Sequence, residues 1–368
     1  MTENNTEHFQ PNENEGESET RKIPIQFIGS PGEYWKIYMI NLALTILTLG
    51  LYRPWAKVRQ YKYLYNHLLV DGSPMDFTAK PIRLLIGQLI VMFFIGLYFY
   101  SQITLNTYLA AILSFSFVVL MPLLLWLSYR FFFRYTQWSG VSMSFTASKS
   151  EFYFAVIGRG ILSLFIITFP IAQKKWFEFI GRNVFWGNKR LSVNASLEKL
   201  YTGFGLYIGM LATGFYLLWL LITIVGGDEA RMQTMTTSQK EAFAIAVIGG
   251  LIIYLVFILW GYSFMKSYTV HAIYHGLKIG EAKLKLRIKP FKLAWEYVKM
   301  YLFTFLSFGI AYPYLFARLL SQIANNSHLE LPEGEDLIAH EVDSGQVSAV
   351  GMEAIDEVGL DVDFDIGF

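Results

Sequence analysis

The sequence predicts an α-helical polytopic membrane protein with internal repeats. Short cytoplasmic β-strands lie between the helices and are expected to form a small sheet. Three observations predict this class. The composition is 54% hydrophobic and only 16% charged, whereas about a quarter of the residues in a soluble domain are charged. The apolar residues gather into blocks of bilayer-crossing length. A pattern of glycine, proline and a basic aromatic stretch recurs along the chain.

Four blocks carry the strongest spanning signal. They are residues 84–100 (extendable to 103), 108–127, 204–225 and 242–265, all free of charge. Each approaches the roughly 17–25 residues a helix needs to cross hydrocarbon, where the backbone must satisfy its own polar groups. Three further apolar blocks are flawed. Residues 34–51 contain Lys36 and Asn41, 152–172 contain Arg159, and 293–311 contain Glu296 and Lys299. Each is followed by a basic or aromatic helix-like segment.

The flaws recur in register. Gly50, Pro54, Arg59 and Asn66 have the same spacing as Gly309, Pro313, Arg318 and Asn325. A looser copy, ITFPIAQKKWFEFIGRN, covers 167–183 and lacks the glycine. Strand-like alternation precedes several helices, in IPIQF, GSPMDF, GVSMSF and KLKLRI. The Ser, Pro and Glu that follow such pieces are helix-start chemistry, with Glu33 and Glu151 placed where a carboxylate favours a helix N-terminus.

These units divide the chain. Residues 1–22 read as a disordered acidic tail, polar where a signal peptide would be basic and then apolar. Residues 23–328 form the multi-pass domain, with repeat 1 over 23–143, repeat 2 over 144–282 and a partial repeat 3 over 283–328. Residues 329–368 form an acidic C-terminal tail with a dozen carboxylates and no Lys or Arg.

The net charge of +1 conceals acidic ends and a basic middle. Cytoplasmic loops carry the Lys/Arg excess. If only the four clean blocks cross, every basic segment and both termini face the cytoplasm. The three flawed blocks are then half-inserted or re-entrant. A conventional seven-span arrangement is the competing topology.

The stretches FIGSPGEYWKIYMINLALTIL, TLGLYRPWAKVRQYKY and HLLVDGSPMDFTAKP resemble the bacterial YjgN-like family, and the likeness runs roughly from Pro24 to Asn325. The resemblance implies a multi-pass protein of the bacterial inner membrane, of unknown function. It supplies no substrate and no catalytic residue.

The chemistry of the chain is sparse. With no cysteine there is no disulfide, thiolate metal site or Cys nucleophile. His271 and His275 share a helical face, but a zinc site needs a third ligand that is not in view. No nucleophile–base pair or phosphate loop supports an enzyme, and no cofactor is expected. The basic strand near 283–288 lacks the aromatic platform of a nucleic-acid site, so no nucleic acid is expected. Gly205 and Gly209, with Ala212 and Gly214, suit close helix packing. Arg159 lies inside an apolar block, where a charge is a functional-site candidate or else reaches headgroups. Asn41, Thr45 and Thr48 share a helical face and either pack or line a path. Arg53, Trp55, Lys57 and Arg59, with the repeat-related Arg318, are candidates for functional or lipid-facing positions; anionic headgroups are the expected partner.

Two functions follow. One is a transporter or channel-like protein for a small solute or lipid, with its path between repeats. The other is a non-enzymatic scaffold or envelope-stress factor that binds partners through its cytoplasmic face and acidic tail, or self-associates. On the second reading, removing 331–368 abolishes partner capture and leaves the membrane part folded.

Overall fold

The computed structural model describes residues 20–226, 234–335 and 337. Residues 1–19 of the expected disordered N-terminal tail and residues 336 and 338–368 of the acidic C-terminal tail lie outside them.

The chain is five consecutive strand–helix–helix–strand units. The first is β1 (Thr20–Phe27), α1 (Pro31–Leu47), α2 (Arg53–Asn66) and β2 (Leu68–Val70). The second is β3 (Ser73–Phe77), α3 (Pro81–Ile103), α4 (Thr107–Tyr135) and β4 (Thr136–Trp138). The third is β5 (Val141–Phe145), α5 (Lys149–Ser163), a 3-10 turn (Ile166–Thr168), α6 (Phe169–Arg182) and β6 (Val184–Trp186). The fourth is β7 (Lys189–Val193), α7 (Leu197–Gly226), α8 (Thr237–Tyr274) and β8 (Leu277–Ile279). The fifth is β9 (Ala282–Leu286), α9 (Pro290–Leu306), α10 (Tyr312–Asn325) and β10 (Ser327–Pro332). Helical hairpins therefore alternate with β-hairpins, and short helical pairs alternate with long ones.

The strands correct the expected fold class. They do not form a small sheet. All ten close into an antiparallel barrel in the order β1-β10-β9-β8-β7-β6-β5-β4-β3-β2. Closure depends on β1, whose Ile25 to Phe27 pair with β2 while Thr20 to Pro24 pair with β10. An open sheet would leave two rows of unpaired backbone groups, and closure removes both. Alternation sets the faces. Ile23 and Phe27 are buried in β1, and Ala282, Leu284 and Leu286 in β9, while Lys22, Gln26 and Lys283 are exposed. Tight turns join successive units. Asp71–Gly72 and Ser139–Gly140 both take positive φ at each residue (51° and 75°, 51° and 79°), as mirror-image hairpin turns require.

One backbone bond repeats in every unit. The N–H of Ile28, Thr78, Thr146, Asn194 and Arg287 donates to the carbonyl of His67, Tyr135, Asn183, Gly276 and Asn326, at 2.9–3.0 Å. Each bond ties the entry of a helical hairpin to its exit. In the fourth unit the two chains run so close that a Cβ on Gly276 would lie 2.2 Å from the Asn194 carbonyl oxygen. Backbone cannot yield as a side chain can, so Gly276→Ala is expected to cost about 1–3 kcal/mol or more. A lowered melting temperature in detergent checks this.

The helix starts follow local rules. Proline occupies the first turn of α1, α3 and α9, where a missing N–H costs nothing. At α5 Ser148 and Glu151 form a reciprocal capping box. Ser148→Ala should destabilise this terminus by about 1 kcal/mol, while Ser148→Asp should retain most of the stability. Parallel melts of both variants test this.

Two of the three short hairpins turn on strained residues. Leu49 and Phe308 sit at φ 51° and 50°, each before a glycine at positive φ. The N–H of Gly50 and of Gly309 then donates back to Thr45 and Thr304 at 2.7 and 2.8 Å, a six-residue closure that ends the helix. The tips are apolar and exposed: Leu49 87%, Phe308 97% and Ile167 77%. Each tip accepts a bond from an early turn of the next unit's first helix. Gln88 Nε2 donates to Gly50, Tyr201 Oη to Ile167, and Trp35 Nε1 to Ile310, at 2.8–2.9 Å. The three tips thus sit at the level where the following helices begin.

The four remaining helices, Pro81–Ile103, Thr107–Tyr135, Leu197–Gly226 and Thr237–Tyr274, are long and apolar enough to cross a membrane. They are the four blocks expected from sequence. α7 and α8 pack closely at Gly203 and Gly214 on one helix and Gly250 and Gly261 on the other, each within about 3 Å of a partner side chain if given a Cβ. Gly205 and Gly209, expected at such a contact, face open space.

Candidate functional site: a cavity from barrel to helices

A cavity of about 700 Å³ runs from the barrel interior up between α1, α2 and α10. Its construction follows from the alternation of the strands. Inward positions Val70, Met75, Met143, Leu191, Ile279, Leu284 and Leu329 line the lower part, all apolar. The floor is closed where the hairpins turn. Trp138 and Trp186 meet edge to face at 5.6 Å, and each indole N–H donates to a turn carbonyl. Leu337, just past β10, is buried in the same cluster. Glu335 holds this segment by an ion pair with Lys189 at 3.2 Å.

The upper part differs in chemistry. Asn41, Thr45, Arg53, Lys57 and Gln60 line it, together with Tyr34, Tyr38, Tyr61 and Tyr312. No Asp or Glu lines the cavity among the described residues. Burial pushes the Tyr34 and Tyr65 phenols above their ordinary range, so both are neutral at cellular pH. Arg53 and Lys57 therefore supply the ionic charge of the wall. Asn41 is fully buried. Its amide N–H donates to the Ala56 carbonyl at 3.4 Å, while its Oδ1 has no partner. A buried unsatisfied acceptor costs about 1–3 kcal/mol and is worth explaining.

The sequence candidates separate on this geometry. Asn41, Arg53 and Lys57 come together on the cavity wall with Thr45. Trp55 stacks on Tyr52 at 6.1 Å near the turn between α1 and α2. Arg59 and Arg318 are exposed and do not line the cavity. Arg159 is exposed on α5 and lays its guanidinium over the Trp176 ring at 4.8 Å. His271 does not face His275 across a metal site. Its two ring nitrogens face the carbonyls of Ser267 and Ile288, and no cluster of three metal-binding side chains occurs among the described residues. Sequence reasoning missed Gln60 and the barrel half of the cavity. The alternating MDF and MSF pieces marked Met75 and Met143 as one-faced, but not as lining one closed lumen.

Barrel, cavity and four apolar helices define a membrane protein in which helical hairpins are set on a β-barrel hub. The chain belongs to the family described as bacterial protein of unknown function (DUF898), which matches residues 22–357. It is similar to the inner membrane protein YjgN of Salmonella typhimurium, at 21% identity over 83% of this chain and 88% of that protein. The YjgN protein of Escherichia coli O157:H7 is 30% identical over a shorter stretch, 37% of this chain and 34% of that protein. The corresponding protein of Escherichia coli K12 is 28% identical over the same shares. No solved structure matches the chain.

Proposed function

We propose that the protein is a non-enzymatic transporter or channel-like protein of the bacterial inner membrane, moving a small solute or lipid along the cavity. Both termini and the barrel lie on the cytoplasmic side in this reading, following the basic segments. The observation that carries it is the continuity of the cavity from the helical hairpins to the barrel lumen. Asn41 supports it, because an unpartnered buried acceptor on the wall is destabilising unless a ligand uses it.

The reading has a specific consequence. Asn41→Leu removes the unsatisfied acceptor and should leave the melting temperature unchanged or raised, since an apolar group of similar shape is tolerated in place of an unsatisfied polar one. The same change should lower solute or lipid movement in proteoliposomes at least several-fold. Unchanged movement with unchanged stability would remove the cavity from the transport path.

A second reading is a scaffold that binds partners through the acidic tail. Its test needs a corrected boundary. Removing 331–368 would take Leu331 and Leu337 out of the barrel core, so the cut belongs after residue 337. Loss of a captured partner on that deletion, with normal melting, favours the scaffold.

A further inference from the structure

We propose that the three short hairpins form a collar lying in the headgroup layer of the barrel-side leaflet, and that this one-sided insertion draws the protein to membrane whose barrel-side leaflet is convex. The partner is a lipid surface with loosened packing. The inference does not depend on the cavity or on transport.

Helix length and tip height give the posture of the hairpins. α1 and α9 have 17 residues each and α5 has 15, so upright helices would rise about 22–25 Å. Their tips are not that high. The entry bonds at Ile28, Thr78 and Asn194 mark one level around the barrel. Trp35 and Tyr201 lie seven residues past Ile28 and Asn194, and Gln88 lies ten past Thr78. These are the side chains that reach Ile310, Ile167 and Gly50 at the tips. Trp35 and Tyr201 are the fifth residues of their helices and Gln88 is the eighth, which sets them about 6–10 Å above the helix starts. The reach of one side chain does not make up the difference. The short hairpins therefore lean toward the next unit and lie nearer to the membrane plane than to its normal.

The outward surfaces fit that posture. The tips reach the level where hydrocarbon begins, since the charge-free block of α3 opens at Leu84 and that of α7 at Phe204. On α5, Phe154, Ile157 and Ile161 share a helical face and are exposed. Leu164, Phe165 and Ile166 extend this apolar surface to the tip. Ile40, Ile46 and Leu47 are exposed on α1, as are Phe303, Phe305 and Leu306 on α9. Exposed apolar surface of this extent marks an interaction site. Its continuity with the spanning helices identifies the bilayer as the partner. Helices lying in the interface sink their apolar face about 5–10 Å into the boundary between headgroups and chains.

The posture makes the insertion one-sided. Six helices then take up area in the barrel-side leaflet only, and four cross both leaflets. The mismatch in area is relieved where convex curvature spreads the barrel-side leaflet, which is why interfacial helices respond to curvature.

The test uses the full chain in phosphatidylcholine membranes. The chain has no cysteine, so Leu49→Cys, Ile167→Cys and Phe308→Cys each carry a fluorophore at one tip. Val118→Cys in the middle of α4 and Lys283→Cys on the outer barrel wall are the controls. Lipids bearing a nitroxide near the headgroup should quench all three tips more strongly than lipids bearing it at the chain end. Val118→Cys should show the reverse order, and Lys283→Cys should be quenched by neither. Tips untouched by both lipids, or quenched most from the chain end, would overturn the collar. Curvature is read on tubes pulled outward from giant vesicles. Molecules with the barrel outside should be enriched on the tube at least twofold relative to a lipid dye, and molecules with the barrel inside should be depleted. The combined variant Leu49→Asn, Ile167→Ser and Phe308→Asn should lose the enrichment at an unchanged melting temperature, because Asn tolerates the positive φ of the first and third positions. Equal density on tube and vesicle in both orientations would overturn the curvature preference. So would enrichment that survives the combined variant. If that variant does not fold, the opposite sorting of the two orientations of the unaltered chain still decides.

Discussion

A chain ended after residue 326 is expected to lose the entire barrel rather than one strand. β10 is the strand through which the last unit reaches the first. It exchanges five residue pairs with β1, from Thr20 with Pro332 to Pro24 with His328. It makes four more with β9, from Ser327 with Leu286 to Glu330 with Lys283. Its removal frees two edges, on β1 and β9, each able to pair with another chain. It also takes Leu329 and Leu331 from the lumen wall, where they are 2% and 3% exposed. Each buried side chain of this size contributes about 1.5–3 kcal/mol, and Ile23 and Leu284 lose their cover with them. Size-exclusion chromatography should show aggregate for the 326 truncation and a single peak for the 337 truncation. A monodisperse 326 truncation with a normal melting temperature would show that the barrel does not depend on its closing strand.

Phe152→Ala is expected to cost about 3–5 kcal/mol, the range for deleting a fully buried ring. Phe152 has no exposed surface. Four aromatic rings surround it, those of Phe145, Trp176, Phe179 and Tyr129, with centroids 5.6–6.0 Å away. Three of these contacts are edge to face, a geometry worth about 0.5–1.5 kcal/mol beyond burial. The ring also joins the elements of the third unit, since Phe145 ends β5, Phe152 begins α5, and Trp176 and Phe179 lie on α6. Collapse of this cluster should separate the hairpin from the barrel wall, and Phe152→Leu should recover part of the loss. Thermal melts of both variants decide it. A loss under about 1 kcal/mol would be that of a site able to repack.

Much of the molecule was legible along the chain, for identifiable reasons. A spanning helix is a local property: twenty apolar residues announce it wherever they sit, and the four expected blocks are α3, α4, α7 and α8. The helix breaks at Gly50 and Gly309 were readable because a backbone reversal needs particular residues at particular spacing. The strands were visible as alternation, which shows one buried face and does not tell what that face meets. The expectation of a small sheet failed at that point. Four of the ten strands are only three residues long, too short to give a periodic signal. The pairing that closes the barrel joins residues about three hundred positions apart, from Pro24 to His328.

The candidate site divides in the same way. Asn41 was conspicuous as a polar side chain in an apolar block, and Arg53 and Lys57 as cations beside a helix break. Nothing along the chain distinguishes Arg53 and Lys57 from Arg59 or Arg318. That distinction depends on which side of α2 and α10 turns inward once the hairpins are seated on the barrel. The sequence by itself determined the spanning helices and the helix breaks, because each is encoded by neighbours within a few turns. Only the tertiary structure decided that the strands close, that the hairpins form a ring of five, and that a polar rim and an apolar lumen share one cavity. Those features arise from contacts between units distant in sequence, and closure becomes favourable only when every edge finds its partner at once.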